Sequence, residues 1–106
     1  MKGSVQNTKS RKGGAATLNR AALYDAFLTL KTREECGAFL RDLCTIAEID
    51  AMTERFAIAR LISKDASYRS AADETGASTT TVTRVAHWLN HGMGGYRTVI
   101  SRMHKK

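Results

Sequence analysis

Apolar residues recur along this chain at the spacing of amphipathic helices, broken by short polar or glycine-containing joints. Leu23, Phe27 and Leu30, with Ala22 and Ala26 beside them, predict a first helix from about Thr17 to Lys31. Thr32 and Glu35 have the spacing of a reciprocal capping box. They open a second helix whose stripe is Cys36, Phe39, Leu40 and Leu43. Thr45 and Glu48 form a second box, opening a long helix to about Ser63. That helix carries Ile46, Ile49, Met52, Phe56, Ile58, Ala59, Leu61 and Ile62 on more than one face, so it belongs at the centre of the fold. In so short a chain it is expected to pack against both its own neighbours and a partner subunit. Lys64 and Asp65 mark the break that follows.

The stretch Ser67 to Leu89, SYRSAADETGASTTTVTRVAHWL, is the most informative. Ser67 is a good N-cap, and Tyr68, Ala71, Ala72 and Thr75 then share one helical face. The small Ala71 and Ala72 allow a close helix crossing. Gly76 supplies the bend, because glycine takes a left-handed conformation cheaply. Ser78 caps the next helix, whose buried stripe is Val82, Val85, Ala86 and Leu89. Its other face, Thr79, Thr80, Thr83, Arg84 and His87, is polar and without carboxylates. This is the layout of a helix-turn-helix. Threonine and arginine at the start of a helix suit the base edges of a DNA major groove. An ordinary helical hairpin inside a core shares the glycine; the alanine pair, the valine spacing and the acid-free outer face favour DNA. After Leu89, Gly92, Gly94 and Gly95 end the helix and reverse the chain. Tyr96, Val99, Ile100 and Met103 predict a last helix with a basic end. The glycines lack the context of a phosphate-cradling loop.

Charge sharpens this picture. The formal net charge is +7. Residues 1–20 contribute +5 and residues 67–106 contribute +4, whereas residues 21–66 contribute −2. The basic excess thus sits at the two ends, one of which holds the helix-turn-helix, as suits a polyanionic partner. With 106 residues and no proline, the chain reads as one helical domain. Residues 1–15 read as a flexible basic N-terminal tail, either a DNA-contacting arm or a solvated segment, and residues 16–106 as the folded DNA-binding domain. No apolar run reaches membrane-spanning length, and no secretory signal is evident, so a cytoplasmic location is expected. Cys36 and Cys44 lack a C-x-x-C pattern and are expected to be buried thiols in a reducing cytoplasm.

GASTTTVTRV resembles the recognition segment of Trp-repressor-like proteins, particularly the YerC/YecD-type branch. The likeness extends upstream through DLCTIAEIDAMTERFAIARLI and downstream through LNHGMGGYRTVISRM, over roughly two-thirds to four-fifths of the chain. It implies an all-α, Trp-repressor-like intertwined helical homodimer with a helix-turn-helix at about residues 67–89, binding a near-palindromic operator in double-stranded DNA, and it implies repression. Motif geometry, matched by the family's DNA-facing positions, assigns Thr79, Thr80 and Thr83 to base edges. Arg69, Ser78, Thr81 and the helix N-termini fall to phosphates. Arg84 matches an arginine that in the Trp repressor proper helps hold the tryptophan corepressor. The rest of that pocket departs from the pattern: Glu54 stands at the second arginine's place with Arg55 adjacent, Val85 replaces a glycine, and Trp88 replaces a small serine. L-tryptophan is therefore not expected as a cofactor, and Arg84 is left to contact phosphate, guanine or a carboxylate.

Other chemistry is thin. His87 and His91 stand four apart, but no cysteine or carboxylate nearby completes a metal site, so no metal is expected. No nucleophile–base pairing or carboxylate dyad stands out, so no enzyme is expected. A recombinase needs a catalytic domain for which the length leaves no room. An RNA binder usually has an aromatic stacking platform, which is missing. The principal alternative to a DNA-binding regulator is a helical protein-interaction module that keeps the fold without DNA.

Overall fold

The computed structural model describes residues 9–104; within them the chain forms six α-helices and no strand. The helices are α1 (Lys9–Thr29), α2 (Arg33–Leu43), α3 (Ile46–Ser63), α4 (Tyr68–Thr75), α5 (Thr79–His91) and α6 (Gly95–His104). They divide into two units, α1 with α2 and α3 with α4, α5 and α6.

In the first unit α1 begins at Lys9 rather than near Thr17, running through the Gly13–Gly14 pair. Glycine costs a helix about 1 kcal/mol per residue and weakens it without forbidding it. The remainder of the expected tail, residues 1–8, lies outside the described residues. Phe27 of α1 meets Phe39 of α2 edge to face, with ring centroids 5.3 Å apart. The capping box at the start of α2 is shifted from the reciprocal form. The Glu35 N–H donates to Thr32 Oγ1 at 3.0 Å, but the Glu35 carboxylate accepts from the Lys31 N–H, one residue before the cap. No residue of α2 is buried. Cys36 is exposed and Cys44, in the joint that follows α2, is half-buried, so the expectation of buried thiols is not met. Neither cysteine is disulfide-bonded. Two helices alone offer too little surface to enclose a full apolar stripe.

The second unit is organised by α3, which packs on α4, α5 and α6. The box at its start is complete: the Glu48 N–H donates to Thr45 Oγ1 at 3.1 Å, and the Thr45 N–H to Glu48 Oε1 at 2.8 Å. Its far end closes through Asp65, which holds a left-handed φ of 68°. The Asp65 N–H reaches Ile62 O, and the Ala66 N–H reaches Leu61 O. These are the two bonds of a Schellman cap, with aspartate where glycine is usual. Ile58 and Ala59 of α3 are enclosed by Ala71 and Ala72 of α4, Val82, Val85 and Leu89 of α5, and Ile100 of α6. Ile58 and Val82 are fully buried, and each contributes about 1.5–3 kcal/mol by leaving water. The alanines let α4 come close, as their size requires. The N-terminal half of α3 is different, since Ile46 and Met52 are exposed. In α6 only Ile100 of the expected stripe is buried; Tyr96 is half-buried, and Val99 and Met103 are exposed.

Candidate nucleic-acid interface

The local chemistry of α4, the turn and α5 accounts for how the candidate site is held. The Ser67 hydroxyl accepts the Ser70 N–H at 3.0 Å, and the Ser67 carbonyl accepts from Ala71. At the end of α4, Gly76 takes φ 78° and ψ 4°, and its N–H closes on Ala72 O. A side chain there would meet no neighbour, so the left-handed backbone alone asks for glycine. Thr75 binds the turn from inside, donating to Ala71 O at 2.8 Å and accepting the Ala77 N–H at 3.2 Å. Ser78 then caps α5: its oxygen accepts the Thr81 N–H at 3.1 Å, and its proton goes to Thr81 Oγ1 at 3.0 Å.

With its start fixed, α5 divides into two faces. Val82, Val85, Ala86 and Leu89 are buried against α3 and α4, as their spacing predicts. Thr79, Thr80, Thr83, Arg84 and His87 are exposed and line one open depression of about 440 Å³. Arg69 on α4 and Ser78 in the turn are exposed too, while Thr81 is half-buried beneath its cap partner. The structure therefore brings five of these polar side chains onto one face of α5. It places Ser78 at that face's N-terminal edge, and Arg69 apart from it on α4.

The C-terminal end of α5 carries ring contacts and one polar contact. His87 and His91 have ring centroids 5.1 Å apart, and Trp88, 55% exposed, stands edge-on to His87 at 5.2 Å. No group of three or more histidine, cysteine or acidic residues gathers around a metal-sized space among the described residues. The Arg97 guanidinium of α6 donates to Asn90 Oδ1 at 2.7 Å. Neither residue was singled out from the sequence. The available signal was that Asn90 follows Thr83 by seven residues, about two turns, and so extends the outer stripe. No helix among the described residues is long and apolar enough to cross a membrane.

Comparison with known proteins agrees with this architecture. The uncharacterized protein YerC of Bacillus subtilis (strain 168) is 41% identical over 81 residues, which is 76% of this chain and 78% of that protein. The crystal structure of a TrpR-like protein from Eubacterium eligens superposes with a TM-score of 0.76 at 39% identity, covering 80% of this chain and 88% of the other. A candidate Trp repressor of Staphylococcus aureus gives a TM-score of 0.77 at 37% identity, covering 94% and 98%. The family model described as Trp repressor protein, a family of DNA-binding regulators rather than enzymes, matches residues 18–104. The chain belongs to the Trp repressor family.

Proposed function

We propose that the protein is a sequence-specific DNA-binding regulator of transcription, acting as a repressor, and that α4, the turn and α5 are its helix-turn-helix. The observation that carries this reading is the two-faced α5. Its apolar face is buried in the core, and its exposed face offers hydroxyls and a guanidinium with no carboxylate. A helix so presented fits a major groove of about 12 Å width. Thr79, Thr80 and Thr83 meet base edges or thymine methyls. Arg84, beside them, contacts phosphate or guanine. Arg69 and the first N–H groups of each helix hold phosphates and set register, and Ser78 joins them when its proton turns from Thr81 Oγ1 to a phosphate oxygen. Thr81, whose oxygen accepts from Ser78, retains its own proton for a phosphate oxygen.

The protein acts as a homodimer. Leu18, Tyr24 and Leu28 of α1 are exposed, and so are Ile46 and Met52 of α3 and Val99 and Met103 of α6. Apolar side chains left bare on this many helices support a second copy as their cover. Two-fold symmetry then presents paired α5 helices to half-sites about 34 Å apart and selects a near-palindromic operator. L-tryptophan is not its corepressor. The partner is double-stranded DNA, and the working compartment is the cytoplasm.

The test is binding of a duplex selected from random-sequence DNA, measured across salt concentrations with the oligomeric state followed by sedimentation. Thr80→Ala and Thr83→Ala should each relax preference at particular base pairs, by about 1–3 kcal/mol of discrimination. Arg69→Ala should weaken all sequences alike and flatten the salt dependence. A folded chain with no salt-dependent affinity for duplex DNA would leave the helical interaction module as the better reading.

A further inference from the structure

From the Asn90–Arg97 contact we infer a phosphate clamp at the far end of α5, built by α6 and separate from the helix-turn-helix assignments. It rests on the DNA-binding reading above. Asn90 continues the polar stripe of α5 at seven residues beyond Thr83, so its exposed amide faces the side on which Thr79 and Thr83 lie. The amide oxygen accepts from the Arg97 guanidinium at 2.7 Å, drawing it from α6 to the end of that stripe. Arg97 is exposed, and the partner that orients it is neutral. A carboxylate in the same place would cancel the charge; an amide fixes the direction and leaves the charge available. One N–H of the fork is committed, and the others remain for oxygen acceptors.

Position along the helix selects the target. Asn90 lies about 15 Å along the axis from Thr80. With α5 set across the major groove, that exceeds the groove's width of about 12 Å, so when the start of α5 meets bases this end meets the sugar–phosphate rim. The clamp thus adds affinity and register without reading sequence. Arg97 is the contact and Asn90 its positioning residue.

Fluorescence anisotropy on a labelled random-sequence duplex, and on a duplex selected with the full chain, tests the assignment across salt. Arg97→Gln removes the charge and leaves a shorter amide in place of the guanidinium that reaches Asn90. It should bind both duplexes roughly 3–10-fold more weakly at moderate salt. The slope of log affinity against log salt should fall by about 0.9 for each arginine removed. Arg97→Lys should restore much of that slope. Asn90→Ala should weaken binding in the native background and have little further effect beside Arg97→Gln, since it acts through that side chain. Wild-type affinity and slope in Arg97→Gln, with or without a change in melting temperature, would reduce the contact to a structural link and overturn the proposal. Absence of salt-dependent binding by the unaltered chain would instead overturn the DNA-binding reading, and the clamp with it.

Discussion

Thr75 reaches across the bend between α4 and α5 to Ala77: its hydroxyl oxygen accepts the Ala77 N–H at 3.2 Å while its proton is held by the Ala71 carbonyl at 2.8 Å. Both ends of the turn are therefore tied to one side chain. Thr75→Val keeps the shape and β-branching but offers no acceptor, leaving a part-buried N–H unsatisfied. Urea unfolding should show a loss of about 1–2 kcal/mol. An unchanged midpoint would mean that water replaces the hydroxyl and that Gly76 alone holds the turn.

Asp65 closes α3 with a positive φ of 68°, a conformation that costs a typical L-residue roughly 1–2 kcal/mol and aspartate somewhat less. Its carboxylate also sits at the negative end of the α3 dipole. Asp65→Gly relieves both and leaves the Schellman bonds from residues 65 and 66 intact. The greater freedom of glycine in the unfolded chain offsets part of the gain. The expected outcome is a stabilisation of up to about 1 kcal/mol, read as a higher melting temperature. A lower one would show that the aspartate side chain supports the cap.

The contrast between what the chain declares locally and what it does not follows from range. Ser67, Thr45 with Glu48, Gly76 and Ser78 act on backbone groups a few residues away, so their spacing suffices to read them. Likewise the stripe Val82, Val85, Ala86 and Leu89 needs only the helical period. Burial of Cys36 and Leu43 is another matter. It depends on how much surface other segments bring, and in the described chain those residues remain exposed. The box at Thr32 shows a finer limit: spacing announced the Thr32–Glu35 bond, but not that the carboxylate prefers the Lys31 N–H. The Asn90–Arg97 contact crosses a glycine reversal, whose path no periodicity specifies.

Gly92, Gly94 and Gly95 look alike in sequence, but the structure gives them unlike demands. A Cβ on Gly92 would run into the Trp88 carbonyl oxygen that its own N–H caps. Gly94 has open space around it but φ 84°. Gly95 has open space and begins α6. Gly92→Ala should cost about 1–3 kcal/mol by displacing the end of α5. Gly94→Ala should cost about 1–2 kcal/mol through backbone strain. Gly95→Ala should stay within about 0.5 kcal/mol of the native chain. Thermal or denaturant unfolding of the three variants checks the order, and equal losses would contradict the geometry.

Arg84 is exposed on α5, and the residue after it, Val85, is 2% exposed and packed in the core, so its side chain occupies space a glycine would leave open. One turn further, Trp88 presents its own indole at the surface, edge-on to His87. A free indole approaching the α5 backbone beside Arg84 would have to displace these side chains. Calorimetric titration of the full chain with L-tryptophan should give no saturable heat, and the duplex affinity should be the same with and without the amino acid. Trp88→Ser with Val85→Gly reopens the space; Val85→Gly also leaves a core void costing a few kcal/mol, so folding must be checked by circular dichroism first. Saturable micromolar binding by the native chain, one site per subunit, would contradict the exclusion. Binding gained only by the folded double variant would identify Val85 and Trp88 as the groups that enforce it.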